Sequence, residues 1–428
     1  MTARSPGSEW PTDLSATAAT DAALSADGAY LMLQQPAEAL PGGPVRVGIE
    51  QEWHTYRLTD PSRHLEAAEV LDKAATGGPL PHGSRITVEP GGQVELATLP
   101  FDPWWVALEA LRLDGAVIRQ RLAAADIATV AAGLDPFRMP SRTLSHPRYV
   151  AMEEYFDSRG PAGRRMMASS ASIQINIDPG PPEVANQRWG LAHRLGPALG
   201  ASFACSPSRV FRSARMANWD EIDPTRTRPA LRTGDLMDDW ASYALGARLM
   251  LLHDGPDRCT AVTTPMTFAD WIARGIDGRY PTAQDLALHC TTLFPPVRSR
   301  GWLELRWLDS LPAGVAETAT AAVSVLLIDE EAGQRASDAC ASVANDWSEA
   351  ARQGPREPAL AQAGAACLRI AAEALARTDV PTQYRRAVAE AAERWPARWR
   401  CPADDLEKRL RLGDKVAQLA EPLQEVWW

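Results

Sequence analysis

The sequence has 428 residues, of which 45% are hydrophobic and 23% charged, with a formal net charge of −10 and a pI near 5.3. Such a length and composition are typical of a globular protein with one large domain or a few smaller ones. The acidic charge excludes nucleic acid and anionic membranes as main partners, because both bind to basic surfaces. The sequence contains no apolar run long enough for a membrane span, and we do not expect its N-terminus to be a secretory signal. We therefore expect a cytoplasmic protein with small-molecule partners.

The chain is predicted to be a single domain preceded by a mobile segment. Residues 1–38 begin with a stretch rich in Ser, Thr, Ala, Pro and Gly and are expected to be mobile. Residues 39–428 are expected to form one domain whose C-terminal part, from about residue 314, is helical. The six cysteines include no CxxC pair, so neither a disulfide framework nor a thiolate zinc site is indicated.

Four segments alternate apolar and polar residues as β-strands do. In chain order they are 45–58, 85–97, 171–178 and 301–309. The second is split into two strand pieces by a Pro-Gly-Gly turn. A helix is predicted over 103–128. Because the strands lie in the first three quarters of the chain and helices gather at its end, we predict an α+β fold with a mainly antiparallel sheet.

The polar faces of these strands carry five glutamates and no lysine: Glu50, Glu52, Glu89, Glu95 and Glu304. Glutamate is a poor strand former, and carboxylates on neighbouring strands repel one another. A bound cation explains this arrangement, and oxygen ligands favour Mg²⁺ or Mn²⁺ over zinc. The alternative is that these polar faces are simply the solvated sides of half-buried strands. That interpretation suits any single strand, but the five glutamates on several strands together weaken it.

Two further features bear on this predicted metal site. A strict two-residue hairpin at 90–91 would place Glu89 and Glu95 on opposite faces, so a shared site requires an odd loop or a bulge. Arg306 lies on the same strand face as Glu304 and could stabilise a γ-phosphate. The sequence has neither a P-loop motif nor a GxGxxG after a strand.

Six stretches of the sequence together resemble the glutamate–cysteine ligase family that includes plant, proteobacterial and actinobacterial enzymes. The likeness is greatest to the actinobacterial branch that supplies γ-glutamylcysteine for ergothioneine synthesis. The stretches are GIEQEW (48–53), TVEPGGQVEL (87–96), ASIQINID (171–178), RLGPALGASFACSP (194–207), RMANWDEIDPTR (215–226) and TTLFPPVRSRGWLELRWLD (291–309).

The resemblance implies a glutamine-synthetase-like catalytic domain, with a curved antiparallel sheet, helices on its convex side and the site in its concave face. It implies an ATP- and Mg²⁺-dependent (or Mn²⁺-dependent) ligase that joins glutamate to cysteine through a γ-glutamyl phosphate. The five glutamates would bind metal, with Glu52, Glu95 and Arg306 catalytic. ATP would contact Arg306 and Gln174. The implied substrate-binding residues are Arg215, Trp219, Arg298 and Asn176.

Two other functions stay open from the sequence alone. One is a carboxylate–amine ligase of the same fold with a different amine or acid, because its metal-binding strands would look the same. The other is a nucleotide- and metal-binding protein without turnover. The oligomeric state is also open, and a monomer is plausible.

Overall fold

The computed structural model describes residues 22–34, 43–255 and 258–422. The strands are β1 (Val47–Arg57), β2 (Arg85–Val88), β3 (Val94–Ala97), β4 (Ile127–Val130), β5 (Ser172–Ile177), β6 (Leu251–His253), β7 (Cys259–Ala261), β8 (Val297–Ser299) and β9 (Leu303–Asp309). The helices up to residue 290 are α1 (Ala26–Leu33), α2 (Ala67–Ala75), α3 (Val106–Ala123), α4 (Pro147–Asp157), α5 (Ala162–Ser169), α6 (Pro182–Ser202), α7 (Ala214–Asp220), α8 (Pro224–Thr227), α9 (Leu236–Gly246), α10 (Phe268–Arg274) and α11 (Ala283–Cys290). The later helices are α12 (Val315–Ile328), α13 (Glu330–Cys340), α14 (Trp347–Gln353), α15 (Pro358–Leu375), α16 (Thr382–Arg394), α17 (Pro402–Arg411) and α18 (Val416–Leu419), with short 3₁₀ turns at Gly354–Arg356 and Pro396–Arg398.

The main sheet contains seven strands within the described ranges, in the order β2-β3-β1-β5-β9-β8, and β4 pairs with β1. All these pairs are antiparallel. Strand β1 is central because it pairs with β3 and β5 over its first half and with β4 over its second. The four predicted strand segments therefore lie in one sheet.

One face of this sheet is apolar and packs against helices. Its residues include Ile49, Trp53, Ile173 and Leu305, which are buried in the main core with residues of α3, α6 and α12. Every residue from 315 to 327 in α12 is buried, because this helix lies between the sheet and the outer C-terminal helices. The opposite face carries the alternate, polar residues of the strands.

The turn between β2 and β3 determines whether Glu89 and Glu95 lie on the same face of the sheet. The Glu89 amide donates to the Gln93 carbonyl (2.8 Å), so the loop consists of residues 90–92. Gly92 has a φ of 86°, the left-handed conformation that glycine adopts without strain in such three-residue loops. Thr87 pairs with Glu95, and this odd loop length places Glu89 and Glu95 on the same face.

Strand β9 contains a β-bulge that changes its alternation. Ile175 pairs with Leu305, but Ile173 pairs with Leu308, so β9 has one extra residue opposite Gln174. Without the bulge, Asp309 would face the same side as Leu305. With it, Asp309 pairs with Ser172 and faces the polar side of the sheet.

Part of the segment that was predicted to be mobile is helical in the structure. Residues 26–33 form α1, whose Ala29 and Leu33 are buried against α9 and α10. The hydroxyl of Tyr30 donates to Asp238 (2.6 Å). The remainder of the predicted segment, 1–21 and 35–38, lies outside the described residues. Within the described residues, no helix combines the length and apolarity needed to cross a bilayer.

The tight contact of the β2–β3 turn leads to a stability prediction. A Cβ added at Gly91 would lie 2.1 Å from the carbonyl oxygen of Ala168 in α5, which is backbone and cannot swing away. We expect Gly91→Ala to destabilise the fold by roughly 1–3 kcal/mol. Gly190 in α6 has nothing within 4 Å of such a Cβ. Gly190→Ala should be neutral or stabilise by up to about 1 kcal/mol. Thermal unfolding of both variants checks this, and equal midpoints would contradict it.

Candidate active site

Three glutamates meet on the polar face of the sheet. One carboxylate oxygen each from Glu52, Glu89 and Glu95 lies within 4.8 Å of the other two. Glu52 and Glu95 sit directly opposite each other on β1 and β3, and Glu89 reaches them from the end of β2. We call these three residues the carboxylate trio. Three carboxylates at this spacing can hold a divalent cation through oxygen ligands.

The trio and its neighbour Glu50 are electrostatically unfavourable as free carboxylates. Burial raises the pKa of Glu50 to about 8, and the charges of Glu95 and Glu304 add to the effect. Burial and the charge of Glu52 raise the pKa of Glu95 to about 7. Burial raises the pKa values of Glu52 and Glu89 as well. A cation bound here would offset both the burial and the repulsion, so the side chains present fit a divalent metal.

Hydrogen bonds from β5 hold Glu52 of the trio in place and connect it to an arginine. Glu52 accepts from the amide of Ser172 (2.8 Å) and from the side-chain amide of Gln174 (3.1 Å). The oxygen of the Gln174 amide accepts from Arg306 (2.5 Å). Gln174 therefore bridges the predicted metal site and the predicted phosphate-binding arginine.

Glu304 has a different environment, because two arginines pair with it. Arg298 donates to both of its oxygens (2.5 and 2.9 Å), and Arg306 donates to one of them (2.7 Å). Although burial alone would raise the pKa of Glu304, these guanidinium groups hold it well below its usual range. The structure thus places Glu304 in an ion-pair network beside the trio. The Arg298 guanidinium is directed at Glu304 and at the Leu293 carbonyl (3.0 Å).

Glu50 and Asn176 form the adjacent edge of the site. The Asn176 amide donates to Glu50 (3.1 Å) and accepts from the indole N–H of Trp302 (2.7 Å). Arg300, in the β8–β9 turn, was not predicted as a site residue. Its charge lowers the pKa of Glu50 and of Glu304. The arginine spacing of VRSRGWLELRW was the signal that could have indicated it.

Arg215 approaches the site from helix α7. It is 3% exposed, donates to the backbone carbonyl of Arg306 (2.9 Å), and lies over the ring of Trp219 at 4.5 Å. The buried Nε atoms of Arg215 and Arg306 both lack a hydrogen-bond partner within the part of the chain that the structure describes. Both arginines line one cleft with Trp219. Two guanidinium groups beside one cleft are suited to a ligand that carries carboxylates or phosphates.

Comparison with known proteins shows which family the chain belongs to. Residues 46–425 match the model of glutamate–cysteine ligase family 2, GCS2. The chain belongs to this family. It is 40% identical over 393 residues to the glutamate–cysteine ligase EgtA of Mycolicibacterium smegmatis, covering 87% of this chain and 89% of that protein. It is also 40% identical over 387 residues to EgtA of Mycobacterium tuberculosis H37Rv, covering 87% and 88%.

The chain is also similar to more distant glutamate–cysteine ligases. The chloroplastic glutamate–cysteine ligase of Medicago truncatula is 28% identical, covering 71% of this chain and 64% of its own. A crystal structure of glutamate–cysteine ligase from Francisella tularensis in complex with AMP superposes with a TM-score of 0.56 at 14% identity, covering 89% and 87%. The predicted family resemblance and the predicted α+β, mainly antiparallel fold are confirmed.

In this ligase, one residue of the site was hidden from the strand pattern. Asp309 is 2% exposed and accepts from the amide of Cys205 (2.8 Å) and the hydroxyls of Ser206 (2.8 Å) and Ser213 (3.0 Å). Ser213 also caps α7, the helix that carries Arg215. Asp309 therefore fixes the loop that positions the arginine. Strict alternation along β9 would have assigned Asp309 to the core face, so only the bulge reveals its role.

The two kinds of glutamate predict opposite effects of the same substitution. In metal-free protein, Glu95→Gln removes repulsion and should leave stability unchanged or raised. Glu304→Gln leaves Arg298 and Arg306 without their counter-charge, so it should destabilise by on the order of 3 kcal/mol. Urea unfolding with a chelator present measures both, and a similar loss in the two variants would contradict the distinction.

The effect of Glu95→Gln should also depend on pH. The pKa of Glu95 is raised to about 7 in the fold, so its ionisation destabilises the metal-free protein as pH rises from about 5 towards 8. Glutamine resembles the protonated form. We therefore expect the variant and the parent to unfold alike near pH 5 and the variant to be more stable near pH 8. A difference that shrinks with rising pH would refute this.

Proposed function

We propose that this ligase forms γ-glutamylcysteine from glutamate and cysteine at the expense of ATP. The observation that carries the proposal is the adjacency of the carboxylate trio to Arg306 and Arg215 in a chain that belongs to glutamate–cysteine ligase family 2. A cytoplasmic monomer that acts on these small molecules is part of the proposal.

The trio is proposed to hold the metal. Glu52, Glu89 and Glu95 offer only oxygen ligands, which suits Mg²⁺ or Mn²⁺ and not zinc. A cation there would neutralise the charge of the ATP phosphates. Glu50 and Glu304 stay predicted ligands. Their hydrogen bonds to Asn176 and to the two arginines would have to be shared with the metal.

The chemistry we propose has two steps. An oxygen of the glutamate γ-carboxylate attacks the γ-phosphorus of ATP and ADP leaves, which forms γ-glutamyl phosphate. The cysteine amine then attacks the acyl carbon, phosphate leaves, and the amine gives up a proton. Arg306 would stabilise the charge on the transferred phosphoryl group, and Gln174 and Glu304 hold its guanidinium in place.

We propose that Arg215 binds a carboxylate of glutamate, with Trp219 beneath its guanidinium. The planar guanidinium suits bidentate binding of a carboxylate, and burial strengthens the contact. Its contact with the Arg306 carbonyl keeps this substrate group close to the site of phosphoryl transfer.

The direct test is ADP release from ATP, glutamate and cysteine, with each component omitted in turn. We expect release to require all three, to stop with a chelator, and to return with added Mg²⁺. Release with another amine and not with cysteine would favour a ligase of different substrate. ATP binding by calorimetry without any ADP release would favour a protein without turnover.

Arg215→Lys should weaken the binding of glutamate more than the binding of ATP. Lysine keeps the charge but loses the bidentate geometry, so the KM for glutamate should rise far more than the KM for ATP. The loss of one charge-assisted pair corresponds to on the order of 2–4 kcal/mol. Steady-state kinetics with each substrate varied measures this. Equal increases in both KM values, or none, would count against the assignment.

A further inference from the structure

The C-terminal helices contribute a side chain to the cleft that contains the two arginines. Arg215 and Arg306 provide its charged groups. Trp219, Met216 and Trp347 are among its apolar walls. Trp347 is the first residue of α14, more than 120 positions after α7 in the chain, and none of the sequence motifs includes it.

Trp347 is held tightly from behind. A Cβ added at Gly196 in α6 would lie 2.0 Å from the tip of the Trp347 ring, so the indole packs directly on that glycine. The neighbouring Ser348 hydroxyl donates to Asp220 at the end of α7 (2.9 Å). At the other end of α14, the Ala351 carbonyl accepts from the amides of Arg212 and Ser213 (3.0 Å each). Helix α14 is thus fastened to both ends of α7.

The two arginines indicate which kind of ligand Trp347 would contact in the cleft. Both guanidinium groups line the cleft and suit a ligand with two anionic groups, and glutamate carries two carboxylates joined by a short apolar chain. The methylene groups between the carboxylates need apolar walls. The rings of Trp219 and Trp347 provide such walls within the cleft.

We propose that Trp347 is a specificity-determining residue that contacts the bound glutamate and limits the length of the dicarboxylic amino acid. This inference rests on the proposed function. A longer acid, with one carboxylate bound by Arg215 and the other at the site of phosphoryl transfer beside Arg306, must bow outwards, and a rigid tryptophan backed by Gly196 leaves no room for it. One methylene in an apolar pocket changes discrimination by roughly 10–200-fold.

The experiment compares glutamate with 2-aminoadipate, which is one methylene longer, in the ADP-release assay. Trp347→Ala should raise the KM for glutamate about tenfold and lower the preference for glutamate over 2-aminoadipate by at least about tenfold. The KM values for ATP and cysteine should stay within about twofold. The matched control is Trp105→Ala, which removes another half-buried tryptophan that packs on the helical side of the core. The control should leave the preference unchanged.

Two further variants keep the test valid if Trp347→Ala does not fold. Trp347→Phe should give a smaller shift in the same direction. Gly196→Ala should displace the ring and raise the KM for glutamate, and the Gly196→Ala/Trp347→Phe double variant should recover part of the loss. The proposal is overturned by an unchanged preference in the folded variants, by equal increases in all three KM values, or by the same change in the control. Absence of ADP release from the parent protein with any acid would instead reject the proposed function.

Discussion

Repulsion among carboxylates on neighbouring strands is the constraint on which this site depends. Glu52 and Glu95 are directly opposite each other across β1 and β3, where like charges destabilise a sheet. The sheet tolerates this because its other face is fully buried against α3, α6 and α12. The hydrophobic free energy of that packing sets the strand register, and the register forces the acidic side chains together. A cation that binds between these carboxylates relieves their repulsion, and this relief adds to its affinity.

The polar face separates two electrostatic environments over a short distance. At the trio, burial and mutual repulsion favour the protonated acids, so a bound cation would stabilise the ionised carboxylates. At Glu304, Arg298 and Arg306 supply that charge from the protein itself. Arg306 belongs to both environments, because Gln174 joins it to the trio. Its guanidinium is therefore neutralised on one side and able to face an anion on the other.

The strand alternation predicted most of the sheet, because apolar residues at every second position leave one arrangement that buries them. It predicted that Glu50, Glu52, Glu95 and Glu304 lie on polar faces, and it showed that Glu89 needed an odd loop. It could not predict Asp309, because a β-bulge shifts the alternation by one residue without any mark in composition. Helix α1 was also missed, since it has only eight residues and its stability comes from docking against α9 and α10.

The parts of the site that sequence patterns do not indicate are those built from distant segments. The bulge places Asp309 under the loop before α7, Ser213 joins Asp309 to the cap of that helix, and α14 fastens the helix from the outside. Arg215 is thus positioned jointly by the sheet and by the C-terminal helices. A helix held from both sides fixes the direction of its arginine more firmly than a loop could, which favours a substrate carboxylate held at a defined distance from the trio. The C-terminal helices are therefore more than a cover for the core, because the geometry of the substrate cleft depends on where they dock.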